Sequence, residues 1–432
     1  MIVVSILLIV LALLGVPLFV VIAASAILGF IASGVDPTVV AIEIYRLVDM
    51  QALLSIPLFT LTGYILSESN ASQRLVRLIH AIFGWLPGGV AIVALIACAF
   101  FTALTGASGV TIVALGALMY PALLQAGYHD RFSLGLITSS GSLGLLFPPS
   151  IALILYGVIA QQLQLSEPLL IDDLFVAGLL PGLLMLLLLS LWSMWIYRKD
   201  VRASAPISGH SRIFEKKEII AAIRDAMWEI PLPFVILGGI FSGYFAISEA
   251  ASVAVVYVLI VEVFIYKDIT IRQLPGIMRE AMTLVGAILL ILGASLASTN
   301  YLVDAEVPTR IFDAVREHID SKITFLLMLN LFLLVLGMIL DIFSALIIMI
   351  PILLPIAIGY GIHPIHLGII FLANMQIGYF TPPVGINLFI ASHRFKKPIT
   401  ELYLSTLPYM AILLIAVAII TYWPALSLVL IK

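Results

Sequence analysis

Apolar residues in this chain run almost unbroken for roughly twenty residues at a time, with short polar stretches between. Apolar runs of ~18 residues or more mark membrane helices. The pattern predicts spans at 2–32, 51–67, 132–160, 174–197, 230–246, 248–265, 282–302, 367–393 and 405–431. Two longer runs remain, 88–124 and 323–358. Each would be ~55 Å long as a straight helix, against a hydrocarbon core of ~30 Å, so each is expected to fold back on itself. The turns fall at "LTGASGV" (104–110) and "LDIFSA" (340–345); the first carries no charge and the second only Asp341. Two full spans or one re-entrant hairpin leave the same parity, and turns this apolar favour re-entrant hairpins.

Within span 132–160 the segment "TSSGSLGLLFPPS" (138–150) is poor material for a continuous helix. Shifted by 234 residues it meets "LANMQIGYFTPPV" (372–384). Pro121 then meets Pro355, Gly127 meets Gly361, His129 meets His363, Gly144 meets Gly378, and Pro148 and Pro149 meet Pro382 and Pro383. All but the histidines are residues that set backbone geometry. The hairpins precede the breaks at the same offset, which pairs Ala107 with Asp341. Irregular backbone inside a membrane is tolerated where it is buried in protein or lines a wet cavity. Paired proline kinks with packing glycines are the bland alternative; their register, each behind a fold-back run, favours a site. Freed carbonyls and the hydroxyls of Thr138, Ser139, Ser140 and Ser142 are hard oxygens suited to an alkali cation, and half-helix N-termini suit an anion.

Composition agrees with the pattern: of 432 residues, 62% are hydrophobic and 10% charged, against about 25% charged in a soluble domain. The net charge of −3 gives no argument for nucleic acid. A lone cysteine, Cys98, excludes a disulfide framework and reads as a small buried hydrophobe. With the N-terminus inside, segments 68–87, 125–131, 198–229, 266–281 and 394–404 hold 16 of the 21 basic residues, the bias expected of cytoplasmic loops. The hairpins then enter from opposite sides, which makes two inverted-topology repeats, a recurrent design in secondary transporters. The fold class expected is an all-α polytopic membrane protein. Residues 1–197 form the first repeat half, 198–229 a cytoplasmic linker and 230–432 the second half. The linker's tail, "EKKEIIAAIRDAMWEI", is amphipathic and lies along the inner membrane surface or stands as a solvated helix. The opening residues lack a charged n-region and read as a retained span rather than a signal peptide.

"GSLGLLFPPSI" (141–151) and "NMQIGYFTPPVGINLF" (374–389) resemble the signature stretches of the large membrane subunit of TRAP (tripartite ATP-independent periplasmic) transporters. "TGASGVTIVALG" (105–116), "HPIHLGIIFLANMQIG" (363–378) and "LPFVILGGIFSGYFAISEAASVAVVY" (232–257) are similar too. The family usually has Thr-Pro-Thr-Glu-Ala where this chain reads Ala246-Ile247-Ser248-Glu249-Ala250. The resemblance covers essentially the whole chain. It implies a sodium-driven elevator importer of a small organic anion, a carboxylate or sulfonate, in the bacterial inner membrane. It also implies two partners: a small four-helix membrane subunit, expected as a separate chain, and a periplasmic substrate-binding protein. No cofactor other than coupling sodium ions is implied.

Carried onto this sequence, the first sodium site falls on Thr105, Gly106, Ala107, Ser108 and Gly109, facing Ser140, Gly141, Gly144 and Pro148; a close-packed helix turn is the alternative. The second falls on Asp341 and Ser344 with Asn374, Gly378, Thr381 and Pro382. A charged aspartate at mid-membrane costs roughly 2.5–3.5 kcal/mol and needs a partner or a role, although it also reads as an N-cap. Substrate contact falls on Ser108, Thr111, Ser142, Asn374 and Asn387, with a helix–helix hydrogen bond as the other reading of Asn387. His363 and His366, three apart, read as interfacial loop rather than a metal pair. Glu249 reads as a first-turn acid, and Trp192, Trp195 and Tyr197 as an aromatic belt. A stand-alone divalent-anion/sodium symporter is the nearest rival. A membrane enzyme has little support, since no HExxH or compact acid/histidine cluster is present, and inverted hairpins fit alternating access better than a passive channel.

Overall fold

In the computed structural model, residues 8, 10, 11, 14–163, 169–201 and 216–431 are described. Among them the chain is helical with no strand. The helices are α1 (Leu18–Ala32), α2 (Thr38–Arg46), α3 (Ser55–Glu68), α4 (Ala71–Phe83), α5 (Gly89–Thr105), α6 (Ser108–Gln125), α7 (Asp130–Ser140), α8 (Ile151–Gln162), α9 (Ile171–Ile196) and α10 (Lys216–Asp225). The second half continues with α11 (Pro231–Phe241), α12 (Ile247–Leu259), α13 (Leu274–Asp304), α14 (Val307–Arg316), α15 (Lys322–Ile339), α16 (Ile342–Gly359), α17 (Pro364–Gly378), α18 (Ile386–Phe395), α19 (Ile399–Tyr422) and α20 (Ala425–Leu428). By length and composition seven described helices can cross a membrane, or nine if each bent pair is one span.

The offset of 234 is built into these bounds: α6 and α16 begin and end in register, and α7 and α17 begin in register. The prolines explain part of this. Pro121 and Pro355 sit inside equivalent helices, and the paired prolines at 148–149 and 382–383 each carry a cis bond. The repeats also exchange partners symmetrically. Second hairpin arm α6 packs on α18 and α16 packs on α8, while α7 lies against α19 and α17 against α9.

Each fold-back run returns to the face it left. Gly88, ahead of α5, packs beside Tyr128, which follows α6. On the opposite face the Lys322 ammonium donates to the Gly361 carbonyl at 2.7 Å across the ends of α15 and α16. The tips of both hairpins line one cavity. Spanning pairs would leave those tips at opposite faces, so the runs are re-entrant hairpins of opposite orientation.

Several elements depart from the apolar pattern. The expected span 2–32 is helical without interruption only from Leu18, because Gly15 takes a φ of +87° and Pro17 precedes the helix; residues 1–7, 9, 12 and 13 lie outside the described set. Segment 68–87 is helix α4, bent 77° from α3, rather than a loop. It is amphipathic, with Leu75 and Ile79 buried, and the run-length criterion misses it. The same reason hides α14, its partner at the repeat offset. Span 282–302 extends to α13, and 230–246 contracts to α11 where Ser242 and Gly243 end it. Among the described linker residues α10 packs on α4, burying Ala222 and Ala226, while Ile220, Ile223 and Met227 stay exposed on one face.

A charged knot ties these pieces together. Arg74 of α4 pairs with Glu229, with Glu262 at 3.0 Å and with Asp268 at 2.7 Å, and its guanidinium lies 3.8 Å over the Tyr266 ring. Burial pushes the Glu229 carboxyl above its ordinary range, and Arg74 acts against that. Removing one partner of such a group leaves uncompensated charge, which costs about 3–5 kcal/mol. Arg74→Met is therefore expected to lower the melting temperature in detergent strongly at about pH 8. Because raised carboxyls bind protons in the folded state, the deficit should shrink toward about pH 5; a deficit that does not change with pH contradicts the assignment. Close backbone approach supplies a second check. A Cβ at Gly144 would stand 2.3 Å from the Ala99 carbonyl oxygen, whereas one at Gly286 meets nothing within 4 Å. Gly144→Ala is expected to cost about 1–3 kcal/mol and Gly286→Ala to add about 0.5–1 kcal/mol, read as opposite shifts in melting temperature.

Candidate functional site

Hairpin one ends α5 with Gly106 at φ +67°, whose N–H donates to the Thr102 carbonyl at 2.8 Å. A Cβ at Gly106 would stand 2.5 Å from the Ile151 side chain, so both conformation and space call for glycine. Extended Ala107 then passes the chain to α6 at Ser108 and offers no side-chain acceptor. The first turn of α6 thus keeps unmatched N–H groups and the positive end of its dipole.

Hairpin two solves the same turn differently. Leu340 and Asp341 are extended, and Asp341 Oδ1 accepts from the N–H groups of Phe343 and Ser344, each at 3.0 Å. Oδ2 accepts from the Ser344 hydroxyl. Asp341 is therefore the N-cap of α16, and its side chain is exposed. The Ile342 N–H donates to the Tyr379 hydroxyl at 2.6 Å, which fastens this tip to the second break.

The breaks are held by side chains from across the repeat. Thr102 donates to the Gly141 carbonyl at 2.9 Å and meets the Thr111 hydroxyl at 2.7 Å, locking hairpin one to the first break. In the second break Gly378 packs on Gly337, where a Cβ would stand 2.6 Å from the Gly337 Cα. The Tyr379 carbonyl accepts from the Asn387 N–H at 2.9 Å, and the Ser108 hydroxyl donates to Asn387 Oδ1 at 2.8 Å. Ser142 donates to the Gln376 carbonyl at 2.8 Å. Those two positions are equivalent at the offset of 234, so the two breaks touch where the repeats' pseudo-two-fold axis passes.

Between the tips lies a cavity of about 220 Å³. Gly106, Ala107, Ser108 and Gly109 line it from one tip, and Asp341, Phe343 and Ser344 from the other. Tyr379, Ile386 and Ile390 add the second broken helix, and Leu284, Ala287, Ile288 and Ile291 of α13 form the facing wall. The lining joins a carboxylate, two serine hydroxyls, Tyr379 and the uncapped N-terminus of α6 with apolar side chains around them. Such a set offers hard oxygens to a cation and N–H groups to an anion.

Of the residues expected to form the sites, Gly106, Ala107, Ser108, Gly109, Asp341 and Ser344 meet in this cavity. Thr105 is buried just behind the first tip, and Ser140, Gly141, Gly144 and Pro148 are buried behind hairpin one. The Ser140 hydroxyl turns back to its own helix at Ile137, 3.3 Å away. Thr111 and Ser142 are fully buried and bonded as described, away from the cavity lining. Asn374 departs most from expectation. Its amide nitrogen donates to Asn330 at 2.6 Å and to the Ile370 carbonyl at 2.8 Å, so it joins α17 to α15, and its Oδ1 is buried without a partner among the described residues. Thr381, in the break, donates to the Ile377 carbonyl of α17 at 2.9 Å, and Pro382 is half-buried beside it.

His363 is exposed and ends the loop before α17, as expected, whereas His366 lies inside that helix. His363 accepts from the Ile365 N–H as the N-cap of α17, and His366, one turn on, is buried against Thr421 and Ser427. Glu249 accepts from the Ala246 N–H at 2.9 Å at the start of α12. Trp192 stacks on Trp195, and Cys98 is buried. The sequence reading missed Thr102, Tyr379 and the α13 wall. Thr102 and Tyr379 had a signal, as polar groups beside a break or a tip; the α13 residues had none, being ordinary apolar positions.

In fold the chain matches the YdaH transporter of Alcanivorax borkumensis, with a TM-score of 0.57 at 14% identity over 86% of this chain and 84% of that one. In sequence it is 36% identical over 391 residues to the C4-dicarboxylate TRAP transporter large permease protein DctM of Pseudomonas aeruginosa, covering 90% of this chain and 88% of that protein. It is 33% identical to the isethionate TRAP transporter permease protein DctMQ of Oleidesulfovibrio alaskensis, covering 96% of this chain and 64% of that protein. The ectoine/5-hydroxyectoine large permease UehC of Ruegeria pomeroyi is 30% identical over 97% of this chain and 96% of its own length. The family model described as tripartite ATP-independent periplasmic transporter, DctM component, matches residues 5–426, and the chain belongs to that family of multi-pass large permease subunits.

Proposed function

We propose that this subunit is a sodium-coupled importer of a small organic anion. The observation that carries the reading is the shared cavity, where the Asp341 carboxylate of one tip faces the uncapped α6 N-terminus of the other. A capped terminus and an uncapped one give the cavity a negative and a positive pole. A cation held near Asp341 and Ser344 and an anion held near Ser108 and Gly109 then stabilise one another across a short, poorly hydrated gap. A second cation takes the hard oxygens behind hairpin one, around Thr105, Ser140, Gly141 and Gly144. Relatives are named as transporters of C4-dicarboxylate, isethionate and sialic acid, which fits a carboxylate or sulfonate cargo.

The hairpins and broken helices move as the transporting body, and α3, α12 and α13 stay as the scaffold. The segments rich in lysine and arginine lie on the face of α4, the linker and Lys397, which makes that face cytoplasmic in a bacterial inner membrane. Substrate arrives on the other face from a periplasmic binding protein, and a separate small membrane subunit braces the scaffold. The family's tripartite description supports both partners.

Two measurements follow. Uptake by proteoliposomes carrying the large and small subunits with the cognate binding protein should vanish when the sodium gradient is removed; undiminished uptake refutes the coupling. Uptake without the binding protein would instead favour the stand-alone symporter. Asp341 has a capping role that must be separated from its charge. Asp341→Asn keeps a good N-cap while Asp341→Ala loses about 1 kcal/mol with the cap. Both variants are expected to abolish sodium-dependent uptake, with only the alanine variant melting lower. Wild-type uptake by Asp341→Asn would reduce Asp341 to a cap.

A further inference from the structure

The cavity between the tips can be followed beyond its lining, because α18 runs along α6 in the same direction. A Cβ at Gly109 would stand 2.7 Å from the Ile390 Cδ1, and one at Gly116 would stand 2.8 Å from the Phe395 Cζ. Between these two contacts the Arg394 Nε donates to the Val113 carbonyl at 3.1 Å. Gly109 and Ile390 line the cavity, so Val113 and Arg394 lie one turn, ~6 Å, farther toward the face rich in lysine and arginine. Val113 is 45% exposed, and Arg394 is exposed as well. On the facing wall α13 lines the cavity with Leu284 and Ala287, and one turn nearer the same face stands the exposed Glu280.

Arg394 has no carboxylate partner among the described residues, whereas Lys397 is paired with Asp130, and Arg77 with Glu218 and Asp225. Glu280 is likewise outside those ion pairs, so none of them bridges the two walls. A basic residue in the last turn of a helix ordinarily serves that helix's own carbonyls and dipole. Arg394, in the last turn of α18, reaches a carbonyl of α6 instead. Its Nε is occupied there, and both terminal nitrogens stay available to an oxyanion. A guanidinium grips a carboxylate or sulfonate through parallel N–H bonds, which a lysine does not reproduce.

We propose that Arg394 is an anion subsite at the cytoplasmic mouth of the cavity, which takes the acid head of the cargo as it leaves the α6 N-terminus. This rests on the reading of the cavity as an anion site and adds the step by which the anion departs. On its way out the acid passes Ile386, Ile390 and Leu284, whose side chains offer no hydrogen bond. A fixed cation beside that path, between walls of low dielectric, raises the local concentration of anions. Glu280 does the same for the coupling cation on the opposite wall. The mouth thus continues the division of the cavity into two poles, with α6 and α18 carrying the positive one.

The test does not depend on knowing the cargo. In the assembled transporter with Cys98→Ser as background, Ala287→Cys places one thiol on the cavity wall. Inside-out vesicles then expose the cytoplasmic face to methanethiosulfonates that carry a sulfonate, a quaternary ammonium or no charge. Arg394→Gln is expected to lower the ratio of sulfonate to ammonium labelling rates about tenfold. Arg394→Lys should restore most of that ratio, and Glu280→Gln should raise it. The neutral reagent reports whether the cavity keeps its shape. Salt at about 1 M, which screens charge within ~3 Å, should erase the differences. An unchanged ratio in Arg394→Gln overturns the subsite and leaves the importer reading untouched. So does a thiol that no reagent reaches from the cytoplasmic side. If uptake proves independent of sodium while the ratio still falls, the coupling is lost and the subsite stands.

Discussion

A peptide group inside a bilayer has no water to bond, and each one left unpaired costs several kcal/mol. That constraint decides this structure more than hydrophobicity does. Two broken helices and two fold-back tips release carbonyls and N–H groups at mid-depth, and the molecule can hold them there only if other parts of itself complete the bonds. Thr102 serves the Gly141 carbonyl, Ser142 the Gln376 carbonyl, Tyr379 the Ile342 N–H, and Ser295 the carbonyl that Pro351 vacates. All four bonds join separate elements of the repeats or scaffold, so the irregular backbone doubles as the joinery.

Against that background the difference between the tips gains meaning. Both are short turns between helices of nearly equal length, and both place a helix N-terminus at the same cavity. One terminus is closed by a carboxylate and the other is left open after Ala107. Had both been capped, neither helix would turn free backbone N–H groups toward the cavity; had neither, the cavity would lack a carboxylate. A single difference between equivalent positions, Ala107 against Asp341, separates the open terminus from the capped one.

Much of this architecture was legible in the residues. The lengths of the two apolar runs forced the hairpins, and the recurrence of glycine and proline at one offset gave the repeat. The signal failed where it depended on run length, as at α4 and α14, whose apolar residues occupy one face only. It failed again at side-chain direction. Asn374 belongs to the right helix, yet its amide is turned toward Asn330, because helix phase near a break is not fixed by sequence spacing. The α13 wall was illegible for a simpler reason: Leu284 and Ile288 look like any other membrane residues until a tip is placed opposite them.

The bond between Ser142 and Gln376 has one further consequence. If the halves were separate identical chains related by a dyad, that position would face its own copy, and a side chain there would have to suit itself. Joining both halves in one polypeptide lifts the restriction. One side of the axis is free to carry a hydroxyl that gives, the other an amide whose backbone receives, and a junction that symmetry would have kept neutral acquires a direction.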